Sequence, residues 1–404
     1  MISFNEAQSI ILKHVKLLPR ETKLLAESRN CYLAEDICAP FPVPRFDHSA
    51  VDGYAIRAAD VASANDETPV TLKVIGTVKT GNVASDHLTP RCAIRIFTGA
   101  MLPPGADTVV MVEDVVFTND SIHISAPIKT NKNIRRTGEE FAKDSICLPK
   151  STKLTPAAIG LTATLGIQHV HVHRKPRVAL VITGSELVAP GTPLGDAQIY
   201  DSNRFALTAA LSDLGIEHVL TYASKDDQQT LQNCIVQALH EADVVITSGG
   251  ASVGDVDYVK PALQAIGATI QFDKVAIKPG KPTVFATLED KLILGLPGNP
   301  VSALVTYLLF VKPALQKMMG CTVESNIGHF ATLEGNLTKR TPRTEFVRAK
   351  SSLKDEVSLV TPCIGQESHM LGGLVTADSL IIFDGEPRPL TNRSQVQVLP
   401  IIWS

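Results

Sequence analysis

Asp243-Val-Val-Ile-Thr-Ser-Gly-Gly-Ala-Ser-Val-Gly-Asp-Val-Asp257 begins as a short β-branched apolar run and empties into a loop with three glycines and then two carboxylates. The β-branched content predicts a buried strand. Gly249 and Gly250 let backbone N–H groups turn toward an anion, as in phosphate-cradling loops. Asp255 and Asp257 are oxygen donors suited to a divalent cation that the same anion would share. An anion cradle beside an acidic cluster points to phosphate chemistry with Mg²⁺.

Two other segments have the same form. Val178-Ala-Leu-Val-Ile-Thr-Gly-Ser-Glu186 is an apolar run that ends in a glycine turn and a carboxylate. Leu292-Ile-Leu-Gly-Leu-Pro-Gly-Asn-Pro300 is another, and it leads into an apolar segment from Val301 to Val311. Asn299 is a good N-cap there, and Pro300 sits at the first helical position, where its missing N–H costs nothing. Open α/β sheets gather ligands at the carboxyl ends of their strands, so the three loops are expected to share one crevice.

Around these loops, from Pro176 to about Gly320, strand and helix patterns alternate. Strands are predicted over 178–182, 217–222, 243–247, 283–287 and 292–296, and another near 269–276. Helices are predicted over 203–214, 228–241, 256–266 and 300–319. Such a rhythm implies a mostly parallel sheet covered on both faces. Ahead of it, Ala39-Pro-Phe-Pro-Val-Pro44 is a stiff connector at a domain edge. The region to about 140 is strand-rich, and short alternating strands return after 326, read as a small β-barrel or sandwich. The expected fold is a multidomain α/β plus β chain with a central three-layer α/β domain. Its divisions are 1–45 with 141–175, 46–140, 176–326 and 327–404.

The chain has 404 residues, room for two to four domains. Net charge is -3, so no global basic field attracts nucleic acid, and any anion site must be built locally. Apolar runs fall well short of the ~18 residues that cross a bilayer. Met1-Ile-Ser-Phe-Asn-Glu lacks a basic leader and reads as a capped helix, with Ser3 and Glu6 at capping-box spacing, ending near Leu18. Seven cysteines without a C-x-x-C suit a reduced cytoplasm and argue against a structural zinc site.

Glu186, Asp226, Asp227, Asp255 and Asp257 form the acidic set. Any one alone reads as a helix cap or a solvated charge. Their common position at strand ends favours a metal and phosphate role. Lys274-Val-Ala-Ile-Lys-Pro-Gly-Lys-Pro282 holds Lys274, Lys278 and Lys281 around a rigid turn, which suits an oxyanion better than a solvated edge. Gly250-Ala-Ser-Val-Gly254 has the form of a serine nucleophile elbow. Gly249 loosens that turn, and the carboxylates after it oppose an oxyanion, so a hydrolase is disfavoured. His169, His171 and His173 alternate along one strand. Metal binding there competes with a plain half-exposed strand, and no nearby carboxylate orients the rings. Neither a Walker A nor a G-x-G-x-x-G motif occurs.

The combined motifs resemble the molybdopterin molybdenumtransferase family, the bacterial MoeA type whose eukaryotic relatives include the E domain of gephyrin. The matching stretches are Asp47-His-Ser-Ala-Val-Asp-Gly-Tyr-Ala55, Ile96-Phe-Thr-Gly-Ala100, Thr183-Gly-Ser-Glu-Leu187, Ser248–Asp257, Ile277-Lys-Pro-Gly-Lys-Pro282 and Leu296-Pro-Gly-Asn-Pro-Val-Ser302. The resemblance implies an elongated homodimer in which adenylylated molybdopterin and molybdate react with Mg²⁺, inserting molybdenum and releasing AMP. Carried over by position, Glu186, Asp226 and Asp257 are the implied Mg²⁺ and catalytic acids. Lys274, Lys278, Lys281, Pro297, Asn299 and Pro300 line the pocket with Gly249, Gly250 and Ser252. Asp52, Thr98 and Arg135 are implied to face it from the other subunit. Implied partners also include the adenylyltransferase and downstream molybdoenzymes or their chaperones. Glu140 stands where the family usually has Asp, and Ser185 where Asp or Asn is frequent, which leaves less negative charge around Glu186. A non-catalytic gephyrin-like scaffold and the related adenylyltransferase are the rival readings. The latter has no use for the first ~175 or last ~78 residues, each large beside a single domain.

Overall fold

The computed structural model describes residues 1–84, 87–250, 258–322, 328–339 and 341–403. Ser252, Asp255 and Asp257 therefore lie outside the described residues. The chain divides into two compact units. One comprises Met1–Glu35, Lys150–Ala163 and Ile167–Ser404, and the other Asp36–Pro149 with Thr164–Gly166.

In the larger unit the central elements are β1 (Val178–Thr183), α1 (Asn203–Asp213), β2 (Val219–Ser224), α2 (Gln228–Glu241), β3 (Val244–Ser248), α3 (Val259–Ala265), β4 (Thr269–Phe272), β5 (Val284–Leu288), β6 (Lys291–Leu296) and α4 (Pro300–Thr306). The strands lie in the order β2-β1-β3-β6-β5-β4. β2, β1, β3 and β6 are mutually parallel, whereas β5 runs antiparallel to both of its neighbours. The two-residue connection Glu289-Asp290 forces that reversal, since a parallel neighbour needs a crossover. Every residue of β1 and β3 is buried, as both faces of the sheet are covered. Val178, Leu180 and Ile182 pack with Leu207 and Leu211 of α1, while Ala179 and Val181 pack with Leu231 and Ile235 of α2.

β2 begins two residues later than the 217–222 predicted, because Ile216 is taken into the core under the turn that ends α1. α4 continues through a wider π turn at Tyr307–Val311 into a further helix, Lys312–Met318. Pro313 follows the π turn, and its ring would collide with the carbonyl four residues back in an unbroken α-helix. The N-terminal helix is Phe4–His14, capped by Ser3, whose side chain accepts from the Glu6 N–H at 3.2 Å. It ends short of Leu18 because Val15 is already extended.

Strands His329–Leu333, Thr344–Lys354, Val357–Pro362, Ser379–Phe383 and Gln395–Pro400 close on themselves as a five-stranded barrel. Leu333, Val347, Val360, Ile381 and Val398 fill its interior. The smaller unit carries a six-stranded sheet in the order Thr108–Met111, Gly53–Ile56, Cys92–Ile96, Val70–Val78, Ser121–Ile124, Val116–Thr118. No helix among the described residues is long and apolar enough to cross a membrane.

Strand His169–His173 pairs with Arg20–Leu24. His169 and His171 are exposed, but His173 is buried, with Nδ1 2.6 Å from the Leu18 carbonyl. The three rings therefore do not share one exposed face. Among the described residues no group of three His, Cys, Asp or Glu is arranged to hold a metal ion.

At the amino ends of the parallel strands, Asp243 ties β3 to the segment entering β1. Arg174 donates to both of its oxygens at 2.7 and 2.8 Å, and the Arg177 N–H donates at 2.8 Å. Burial works to raise this carboxyl, yet the Arg174 and Arg177 donors outweigh burial and hold it at about 2. A depressed folded value stabilises the protein above the unfolded value near ~3.9, and that stability disappears as pH falls toward the folded one. Asp243→Asn is expected to cost about 2 kcal/mol at neutral pH and to flatten the stability profile below about pH 4. Urea unfolding as a function of pH checks this; an acid limb as steep as in the parent protein would refute it.

Candidate functional site at the carboxyl ends of the parallel strands

A cleft of about 810 Å³ opens where β1, β2, β3 and β6 end. Glu186, Asp226, Gly249, Gly250, Pro297, Asn299 and Pro300 all line it. Residues spread over more than a hundred positions are brought together because parallel strands point all their following loops the same way.

Asp226 is fixed by two donors from the β1 loop, the Thr183 hydroxyl at 3.0 Å and the Ser185 N–H at 2.9 Å. The Asp226 N–H donates back to the Ser185 hydroxyl at 3.3 Å. Serine at 185 thus supplies a neutral acceptor where a carboxylate would repel Asp226. Asp227 faces a different task. It caps α2, accepting from the N–H and the hydroxyl of Thr230 at 2.7 and 2.6 Å. The Thr230 hydroxyl and N–H hold its carboxyl below the usual range.

Gly249 and Gly250 have φ of 93° and 67°. The Gly249 N–H does not face the cleft as a free donor, since it reaches the Leu296 carbonyl at 3.4 Å. Its lack of a side chain matters because a Cβ there would lie inside the van der Waals envelope of the Thr183 carbonyl oxygen. Asn299 is the residue that caps α4 by position, with Pro300 first in the helix, but its side chain does not bond the helix. The Asn299 amide donates instead to the Ser368 hydroxyl at 2.9 Å, and the Ser368 carbonyl receives the Val301 N–H at 3.2 Å.

Several cleft residues escaped the sequence reading. Asn203, at the start of α1, donates to the Ser248 hydroxyl at 2.9 Å and to the Gly298 carbonyl at 2.7 Å, joining three elements. The sequence offers Ser202 or Asn203 as the cap of this helix, but the side chain that caps its first turn is Asp201, which accepts from the Arg204 N–H at 3.0 Å. Tyr200, Tyr258 and His369 also line the cleft. His369 follows Ser368 on a segment gripped by Arg348, which is 1% exposed. The Arg348 guanidinium donates to the carbonyls of Gly365, Glu367 and Met370 at 2.7–3.1 Å. No local pattern marks His369, since the barrel's pairing alone brings that segment here.

The family model for the MoeA N-terminal region (domain I and II) matches residues 2–166. A probable molybdopterin binding domain matches 179–317, and the MoeA C-terminal region (domain IV) matches 331–401. The molybdopterin molybdenumtransferase of Haemophilus influenzae is 37% identical over 99% of this chain and 98% of its own. The chain belongs to the MoeA family. That of Bacillus subtilis is 36% identical over 99% of this chain and 94% of its own. A solved MoeA structure from Pyrococcus horikoshii superposes with a TM-score of 0.82 at 29% identity, covering 99% of this chain and 100% of that one.

In this MoeA chain, Lys274, Lys278 and Lys281 are not among the described residues lining the cleft, although Pro282 is. Lys278 lies on a short strand beside the barrel, its ammonium 3.6 Å from Glu345. In the smaller unit Asp52 accepts from the N–H and the hydroxyl of Thr98 at 2.7 and 2.9 Å, and these bonds hold its carboxyl below the usual range. Arg135 is exposed and lies 3.7 Å from Glu139, whereas Arg136 binds Asp47 and Asn131. Glu140 is exposed, and its N–H donates to the Val43 carbonyl at 3.0 Å.

Proposed function

We propose that this protein inserts molybdenum from molybdate into adenylylated molybdopterin, cleaving the phosphoanhydride with Mg²⁺ and releasing AMP, as a step of molybdenum-cofactor biosynthesis. One observation carries the reading. Four strand-end loops, two of them bearing carboxylates, meet in a single cleft of a chain matched end to end by proteins named molybdopterin molybdenumtransferase.

The donor set fits the proposed cation. Glu186 and Asp226 offer hard oxygens only, and Mg²⁺ is commonly held by one or two carboxylates plus substrate phosphates. Each Asp226 oxygen already accepts one protein donor, which orients the carboxylate and still leaves lone pairs for an ion. Asp257 is proposed as the third acid. Bound Mg²⁺ supplies charge neutralisation at the phosphoryl oxygens.

The remaining work falls to the chain's own groups. Pro297, Pro300 and the Tyr200 and Tyr258 side chains give the cleft an apolar side suited to a flat heterocycle. Lys274, Lys278 and Lys281 are the proposed donors to molybdate. Lys278 is 42% exposed at the side chain, so its loose pairing with Glu345 can be exchanged for an oxyanion. Asp52, Thr98 and Arg135 enter the proposal through a second copy of the chain, in a homodimer.

Purified protein given adenylylated molybdopterin, molybdate and MgCl₂ is expected to release AMP only when all three are present. Binding of the adenylylated compound without AMP release would instead mark a scaffold and overturn the enzymatic reading.

A further inference from the structure

Chain enters and leaves the smaller unit, Asp36–Pro149, through a two-stranded ribbon in which Ile37–Cys38 pairs with Ile146–Leu148. Cys38 stands opposite Ile146 and Ile37 opposite Leu148. Cys147 is therefore the extra residue of a β-bulge. A bulge breaks strict alternation and re-aims the inserted side chain, so Cys147 is not held to the face opposite Cys38. The ribbon is pinned on one side by Ala39, whose N–H donates to the Ser145 carbonyl at 2.9 Å and whose carbonyl receives the Asp144 N–H at 2.8 Å.

Directly opposed residues of an antiparallel pair have Cα atoms ~4.5–5.5 Å apart, and Cys147 is next in chain to the residue facing Cys38. Its Cα is therefore a near neighbour of Cys38 across the ribbon, and a disulfide joins Cα atoms ~4.4–6.8 Å apart. Both thiols are free, Cys38 exposed and Cys147 half-buried. Burial pushes the Cys147 thiol up, and the neighbouring Cys38 and the Glu140 carboxylate push it further, which agrees with the two sulfurs sharing one patch.

We propose that Cys38 and Cys147 form a dithiol modification site that small disulfides of the glutathione class oxidise, reversibly, to an intrachain disulfide. The Cys38 thiolate attacks a sulfur of the oxidised compound, forming a mixed disulfide and expelling one thiolate. The Cys147 thiol then gives up its proton and attacks the Cys38 sulfur, expelling the second. Two protein thiols are oxidised, one small disulfide is reduced to two thiols, and no other reactant is required. The product closes nearly the whole smaller unit into one covalent loop at its neck.

The test uses the full chain treated with oxidised glutathione, then alkylated and digested without reduction. The expected result is a peptide pair joined through Cys38 and Cys147, a mass lower by two hydrogens, and reversal by dithiothreitol. Cys147→Ser should trap a lasting glutathione adduct on Cys38, and Cys38→Ser should abolish the link. Both positions are at least partly exposed, so serine is tolerated, and circular dichroism confirms folding. A link joining other cysteines, or a Cys147→Ser protein that carries no adduct on Cys38, would overturn the proposal.

Discussion

Glu186→Gln is expected to lower molybdenum insertion by at least about 100-fold, the scale on which loss of a metal-site group acts, while leaving the unfolding midpoint where it was. The separation of these effects follows from the residue's surroundings. Glu186 is exposed at the carboxyl end of β1 and faces the cleft. Its backbone carbonyl receives the Ile199 N–H at 2.9 Å, a bond that glutamine keeps. Glutamine preserves length and shape but removes the charge, so any loss comes from electrostatics rather than packing. Added Mg²⁺ should restore part of the activity if the ion is bound more weakly. Activity within a few-fold of the parent protein would remove Glu186 from the proposed mechanism.

The second large effect concerns the backbone. Gly249→Ala is expected to destabilise the protein by about 2–4 kcal/mol and to abolish turnover, since overpacking and a strained positive φ act together. At φ 93° an added methyl meets the Thr183 carbonyl oxygen, a main-chain atom of a wholly buried strand that has no rotamer to retreat into. Displacing Thr183 also disturbs the hydroxyl that holds Asp226. Gly250→Ala provides the control. Its φ is 67° and the added carbon would meet the Thr183 Cγ2 at 2.8 Å, a side-chain contact milder than the approach to the carbonyl oxygen at 249. Its cost should stay near the ~1–2 kcal/mol of a left-handed alanine. Equal costs for the two variants in urea unfolding would show that the close approach to Thr183 is not what demands glycine at 249.

The central sheet was legible because β1, β3 and β6 are continuous apolar runs, and a strand buried on both faces has no other way to be written. The sequence predicts a helix over 228–241, and α2 spans Gln228–Glu241, since Asp227 supplies a strong cap signal. Boundaries drifted where tertiary packing intervened, as at Ile216, and where a chain turned early, as at Val15. His173 shows the same limit. Alternation predicted an outward ring, but the adjoining turn at Gly320 and the Leu18 carbonyl enclose it.

What the sequence determined by itself is the set of loops: glycines where φ must be positive, Pro300 where a helix starts, carboxylates where strands end. Those demands are local, and each leaves its mark in the identity of one residue. Only the tertiary structure decided which side chains meet across those loops. Asn203 bonding Ser248 and Gly298, Arg348 fixing the segment that carries His369, and Lys278 beside Glu345 are examples. An amide, a guanidinium or an ammonium can satisfy many acceptors equally well. The choice among them is made by packing direction and distance, which one-dimensional order does not encode.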